Sequence, residues 1–159
     1  MLNKKDGTNI SLKDILDEVL ISKSTFYNYF SSKDILIEHS LEIFLDDINK
    51  ILIKDLELNE SIVLELLNFI FQNQEITIAL IRFHPNFINN IYSYLQNLII
   101  NSKINNLELR LENAYDMPYP FALSLYISAI LSVILTWAKN GFIEEPTEII
   151  TFINKSVKI

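Results

Sequence analysis

The strongest constraint on this chain is how rarely it is interrupted: two glycines and four prolines punctuate 159 residues. A β-sandwich or barrel needs frequent turns, and Gly and Pro are the strongest punctuators of them. Long uninterrupted stretches with apolar residues at steps of three and four instead indicate helices. Ile and Asn together exceed a quarter of the residues, a bias of AT-rich coding, so the abundance of Ile is not by itself a strand signal. Half the residues are hydrophobic, enough for a sizeable core. The expected class is all-α.

Helix starts are marked by polar caps. Ser11-Leu12-Lys13-Asp14 reads as an acidic capping box opening a helix to about Val19. Ser22 caps a second, Lys23 to about Phe30, and Ser31-Ser32-Lys33-Asp34 reads as another box opening a helix to about Asp55. In that third helix Ile37, Leu41, Phe44, Ile48 and Ile51 keep helical period. Further helices are expected from Asn59-Glu60-Ser61, over Gln74–Arg82, from Pro85 in a first turn to about Ser102, and over 104–113. After Pro118 and Pro120 a long helix runs to Asn140-Gly141, with the glycine as left-handed C-cap, and a last one runs from Glu145-Pro146-Thr147 to about Lys155.

The net charge of −7 is unevenly placed. Residues 1–33 carry Lys4, Lys5, Lys13, Lys23 and Lys33 against four acids, a net of +1, whereas the remainder is at −8. If this chain binds a polyanion, the first 33 residues do so and the acidic remainder repels stray DNA. There are no cysteines, which excludes disulfides, thiolate chemistry and Cys-based zinc sites. The first seven residues contain no apolar core of a secretory signal, so a cytoplasmic protein is expected.

Two short capped helices separated by three residues and followed by a third have the spacing of a helix-turn-helix. The second of them, Lys23-Ser24-Thr25-Phe26-Tyr27-Asn28-Tyr29-Phe30, turns Phe26 and Phe30 to the core and leaves donors and aromatic hydroxyls outside. The run Ile10-Ser11-Leu12-Lys13-Asp14-Ile15, then Ile21 to Phe30, then Ser32-Lys33-Asp34-Ile35-Leu36 resembles the signature of the tetracycline-repressor (TetR) family, most specifically from Thr25 to Phe30 with Lys33.

The resemblance implies a helix-turn-helix DNA-binding module over residues 1–46 and a ligand-sensing and dimerisation domain over 47–159. It places Ser22 at the start of the reading helix, base-edge contacts on Lys23, Ser24 and Tyr27, and phosphate contacts on Thr25, Asn28, Tyr29 and Lys33. Family members usually carry a further helix before the Ile10 position, of which Met1-Leu2 is at most the last turn. The turn position often held by Gly is Leu20. Either Leu20 is left-handed, at a cost of about 1–2 kcal/mol, or it keeps negative φ and fills space beneath the reading helix.

Met117 to Ala138 is 22 residues without a charge, long enough to span a bilayer. Two prolines at its start, and the amphipathic helices around it, favour burial between subunits instead. Ser124, Ser128, Ser132 and Thr136 make a small-residue stripe at steps of four, which permits close helix approach. The segment around Trp137-Ala138-Lys139-Asn140-Gly141 and Pro146-Thr147-Glu148 resembles the C-terminal domain of short TetR members. This implies a homodimer in which the last two helices pair with their mates, with Ile149 and Ile153 joining the stripe. The aromatics Phe69, Phe83, Phe87, Tyr94, Tyr119, Phe121 and Tyr126 are candidates for the lining of a chamber for a small apolar or aromatic effector, or else for plain core.

His39 is expected to face solvent and His84 to start a helix, and no metal or cofactor site is expected. Gly-rich phosphate loops, nucleophile elbows and His-Glu metal motifs are absent from the sequence, so no enzyme is expected. The expected function is a TetR-type repressor that binds double-stranded operator DNA as a homodimer and is relieved by an effector. The alternative is a dimeric helical ligand-binding protein whose N-terminal module no longer binds DNA.

Overall fold

The computed structural model describes residues 11–20 and 22–159. Ile10 and Ile21 of the motif, Met1-Leu2, Lys4 and Lys5 lie outside the described residues. Among those described there are nine helices and no strand: α1 (Leu12–Val19), α2 (Lys23–Tyr29), α3 (Lys33–Leu52), α4 (Glu60–Gln72), α5 (Gln74–Phe83), α6 (Phe87–Ile100), α7 (Leu107–Tyr115), α8 (Tyr119–Lys139) and α9 (Pro146–Ser156).

Local chemistry explains most boundaries. In α1 the Asp14 N–H donates to Ser11 Oγ at 3.3 Å and the Ser11 N–H donates back to Asp14 Oδ2 at 2.9 Å, a complete capping box. The third helix is capped by Ser32, whose Oγ accepts from the Ile35 N–H at 3.3 Å. The box expected from Ser31 does not form: the cap moves one residue on, its N3 position is Ile35, and Asp34 is left as a first-turn acid. This helix stops at Leu52 rather than Asp55, because the Asp55 carboxylate turns the chain by accepting from the Glu57 and Asn59 N–H groups at 2.9 and 3.2 Å. Pro85 also differs from expectation: it lies in the turn before α6, where the Phe87 N–H bonds to the His84 carbonyl at 3.3 Å.

The end of α8 is a Schellman motif. Gly141 has φ +85°, the Phe142 N–H reaches the Trp137 carbonyl at 2.9 Å and the Gly141 N–H reaches the Ala138 carbonyl at 3.1 Å. The Trp137 and Phe142 rings meet edge to face at 4.8 Å, the hydrophobic contact that accompanies such a cap.

Packing forms two apolar clusters. The larger joins Leu41, Phe44, Ile48 and Leu52 of α3 to Ile62, Leu67 and Ile70 of α4, Trp137 of α8 and Ile149, Ile150 and Ile153 of α9. The smaller joins Ile99 of α6 to Leu111 and Tyr115 of α7 and Ala122, Leu123 and Ile127 of α8. The eighth helix, α8, is long and apolar enough to cross a membrane; one side of it packs against α5, α6, α7 and α9, and a third of its apolar stretch is buried within the protomer. Ile15, Leu16 and Phe26 are buried at the N-terminal end and belong to neither cluster.

Leu20 adopts φ 54°, ψ 37° and its side chain is 90% exposed. The left-handed alternative holds, and Leu20 plugs no gap. With no packing to lose, Leu20→Gly should stabilise the N-terminal helices by about 0.5–1 kcal/mol, the left-handed penalty less the chain entropy of glycine. Slower amide exchange in α1 and α2 would show it; unchanged or faster exchange would mean that the leucine is not strained.

Candidate nucleic-acid interface, dimer face and sensing region

The second helix is set by one cap and one anchor. Ser22 Oγ accepts from the Thr25 N–H at 3.1 Å and lies 2.8 Å from Thr25 Oγ1 and 3.0 Å from Ser24 Oγ, so three hydroxyls are linked at its start. Phe26 is 2% exposed and holds the helix from below, with its ring 5.3 Å from Tyr27 and 5.6 Å from Phe30. Lys23, Ser24, Thr25, Tyr27, Asn28 and Tyr29 are all exposed, and Lys33 sits half-buried at the first position of α3. Two bare tyrosines, one cation, an amide and hydroxyls on a single short helix are the groups that read base edges and phosphates.

In the C-terminal half of the chain, Ser124, Ser128, Ser132 and Thr136 are exposed along α8. Phe121 and Leu125 stand beside them, and Phe152 of α9 is also exposed. Between α8 and α9 lies a cleft of about 220 Å³, lined by Ser132, Thr136, Trp137 and Phe152 among others. Ile149 and Ile153, expected at the same face, are instead buried within the protomer, at 2% and 7% exposure. Their spacing of four aims both at the large cluster, which leaves nothing for a partner to cover. The large apolar side chain that α9 leaves exposed is Phe152, which lies off the Ile149–Ile150–Ile153 stripe.

The region from Leu58, just before α4, to Lys158 matches the family model described as the transcriptional regulator C-terminal region of the TetR type, over residues 58–158. The chain belongs to the TetR family of transcriptional regulators. No curated protein and no solved structure matches it. For a TetR regulator, α8 and α9 are then the last two helices of the matched region.

The seven rings expected around a chamber are divided in this TetR regulator. Phe87 is buried in the large cluster, with Phe69 and Tyr94 packed against it, whereas Tyr119 and Tyr126 pack on the small one. Phe83 is half-buried and belongs to neither cluster, and Phe121 is 65% exposed. The structure therefore does not gather the seven into one lining. Two of them contact α3: the Phe69 ring is 5.6 Å from Phe44, and the Tyr94 hydroxyl donates to Asn49 Oδ1 at 2.6 Å. Burial pushes the Tyr94 phenol up to about 12 and raises Tyr126 as well, so both stay neutral across the physiological range.

One of the two histidines differs from expectation. His39 is exposed as expected, but it stands 3.4 Å from Glu42 one turn on. His84 ends α5 instead of starting a helix, and it is buried.

Proposed function

We propose that this TetR regulator is a cytoplasmic repressor that binds a pseudo-palindromic operator as a homodimer. Residues 1–46 form the helix-turn-helix reader and residues 47–159 the pairing and sensing domain. The observation that carries this reading is α2, with one buried phenylalanine beneath and Lys23, Ser24, Tyr27, Asn28 and Tyr29 outside. Ser22 and Thr25 hold its first turn in place. In a two-fold pair, the two copies of α2 have to stand about 34 Å apart to enter successive major grooves.

Relief by a small apolar or aromatic effector is supported by the contacts of α3. Phe69 and Tyr94 touch the helix that begins beside the reader, so a ligand that repacks them moves α3. Ligand and operator must then weaken each other by the same factor.

A mobility-shift titration with the DNA upstream of its own gene tests the reading. The intact chain should retard a fragment of that DNA. Lys33→Ala should weaken binding about ten-fold with little regard to sequence and reduce the salt slope by about one unit. Tyr27→Ala should weaken it by about 1–3 kcal/mol and change the preferred sequence. Binding that survives both substitutions would move the DNA surface elsewhere. No retardation at all would favour the dimeric ligand-binding protein without a DNA role.

A further inference from the structure

His84 closes α5, and its side chain is 1% exposed. Its Nδ1 accepts the Asn86 N–H at 3.2 Å, which places the imidazole proton on Nε2. Nε2 is buried and completes no hydrogen bond, yet Glu38 Oε2 lies only 3.1 Å away. The separation is short enough, but the geometry of a hydrogen bond is not met. A buried donor beside a carboxylate that it does not quite engage is a contact one small movement short of completion.

The movement available is that of α3. Glu38 lies one turn before Leu41, where the buried face of α3 begins with Leu41, Phe44, Ile48 and Leu52. Between residues 33 and 40 no side chain is fully buried. Within this half the Ser40 hydroxyl bonds back to the Leu36 carbonyl at 2.8 Å, a pattern that bends helices. The Phe30 ring lies 6.0 Å from His39, so the end of α2 follows the first half of α3.

We propose that Glu38 and His84 form a latch between the first half of α3 and the turn joining α5 to α6. In the engaged position Nε2–H donates to the Glu38 carboxylate and holds α2 and residues 33–40 against the C-terminal domain. In the released position α3 bends near Ser40 and the pair separates. Glu38 and His84 are positioning residues, since neither belongs to the surface assigned to DNA.

Amide hydrogen exchange on the intact chain, with no DNA present, tests the latch independently of operator binding. Glu38→Ala should speed exchange of residues 22–40 about ten-fold while residues 44–52 keep their rates. Glu38→Gln, which retains an oxygen for Nε2–H, should stay within about two-fold of the parent. Glu42→Ala, which removes only the exposed partner of His39, should change nothing. Parent-like exchange in Glu38→Ala, an equal rise at 44–52, or loosening by Glu38→Gln as great as that by alanine would each overturn the proposal.

Discussion

Ser132→Arg and Ser128→Arg are each expected to convert the homodimer into monomers. Both serines are exposed in the protomer, so an arginine there disturbs no intramolecular packing. In the proposed homodimer, what it meets is the partner. The stripe of Ser124, Ser128, Ser132 and Thr136 lets two α8 helices approach closely, with Phe121, Leu125 and Phe152 supplying apolar area around it. A guanidinium placed in that seam is desolvated without a counter-charge, at several kcal/mol, and a two-fold interface contains it twice. Dissociation should strengthen by at least about a hundred-fold, as that penalty implies. Sedimentation velocity reads the result and far-UV circular dichroism checks that the helices are intact. Two variants that remain dimers at the parent concentration would remove α8 from the interface.

Phe26→Ala is expected to abolish operator binding while leaving the dimer in place. The ring is 2% exposed, and truncating such a side chain costs about 3–5 kcal/mol. Among the described residues of α1 and α2 only Ile15 and Leu16 share its burial, too little to absorb that loss. Neither large apolar cluster contains a residue of α1 or α2, so the C-terminal domain should not feel the change. The signature is dimeric mass by sedimentation, loss of retardation in the mobility shift and rapid amide exchange confined to the first two helices. Retained DNA binding would show that α2 is not the reader.

The parts of this architecture that could be read from sequence are those set within a few residues. Ser11 with Asp14, Ser22, and Gly141 after Lys139 act on their immediate neighbours, and each cap stands where its spacing puts it. The exposed face of α2 was legible for the same reason: Phe26 and Phe30 are four apart and the polar groups fall between them. Pro85 was misread because a proline before a helix suits both its first turn and the turn ahead of it, and the carbonyl of His84 decided between them.

Ile149 and Ile153 mark the limit of periodicity. Helical spacing reveals that they share a face, but not whether that face meets α4 or a second chain. The seven aromatics fail similarly, because density along the sequence does not tell two adjacent clusters apart. The Glu38–His84 approach joins α3 to the end of α5, and no local pattern announces it.

Trp137 is the sole tryptophan of the chain. Its indole is 1% exposed, stacks on Phe71 at 5.8 Å with 3° between the planes, and donates Nε1–H to the Glu144 carbonyl at 2.9 Å. Emission excited at the red edge of the absorption band therefore originates entirely from the end of α8, beside the cleft it shares with α9. A thermal melt followed by that signal reports the C-terminal domain and is blind to α1 and α2, whose chromophores are Tyr27 and Tyr29 together with Phe26. A preparation in which α2 had melted would pass such an optical assay as native.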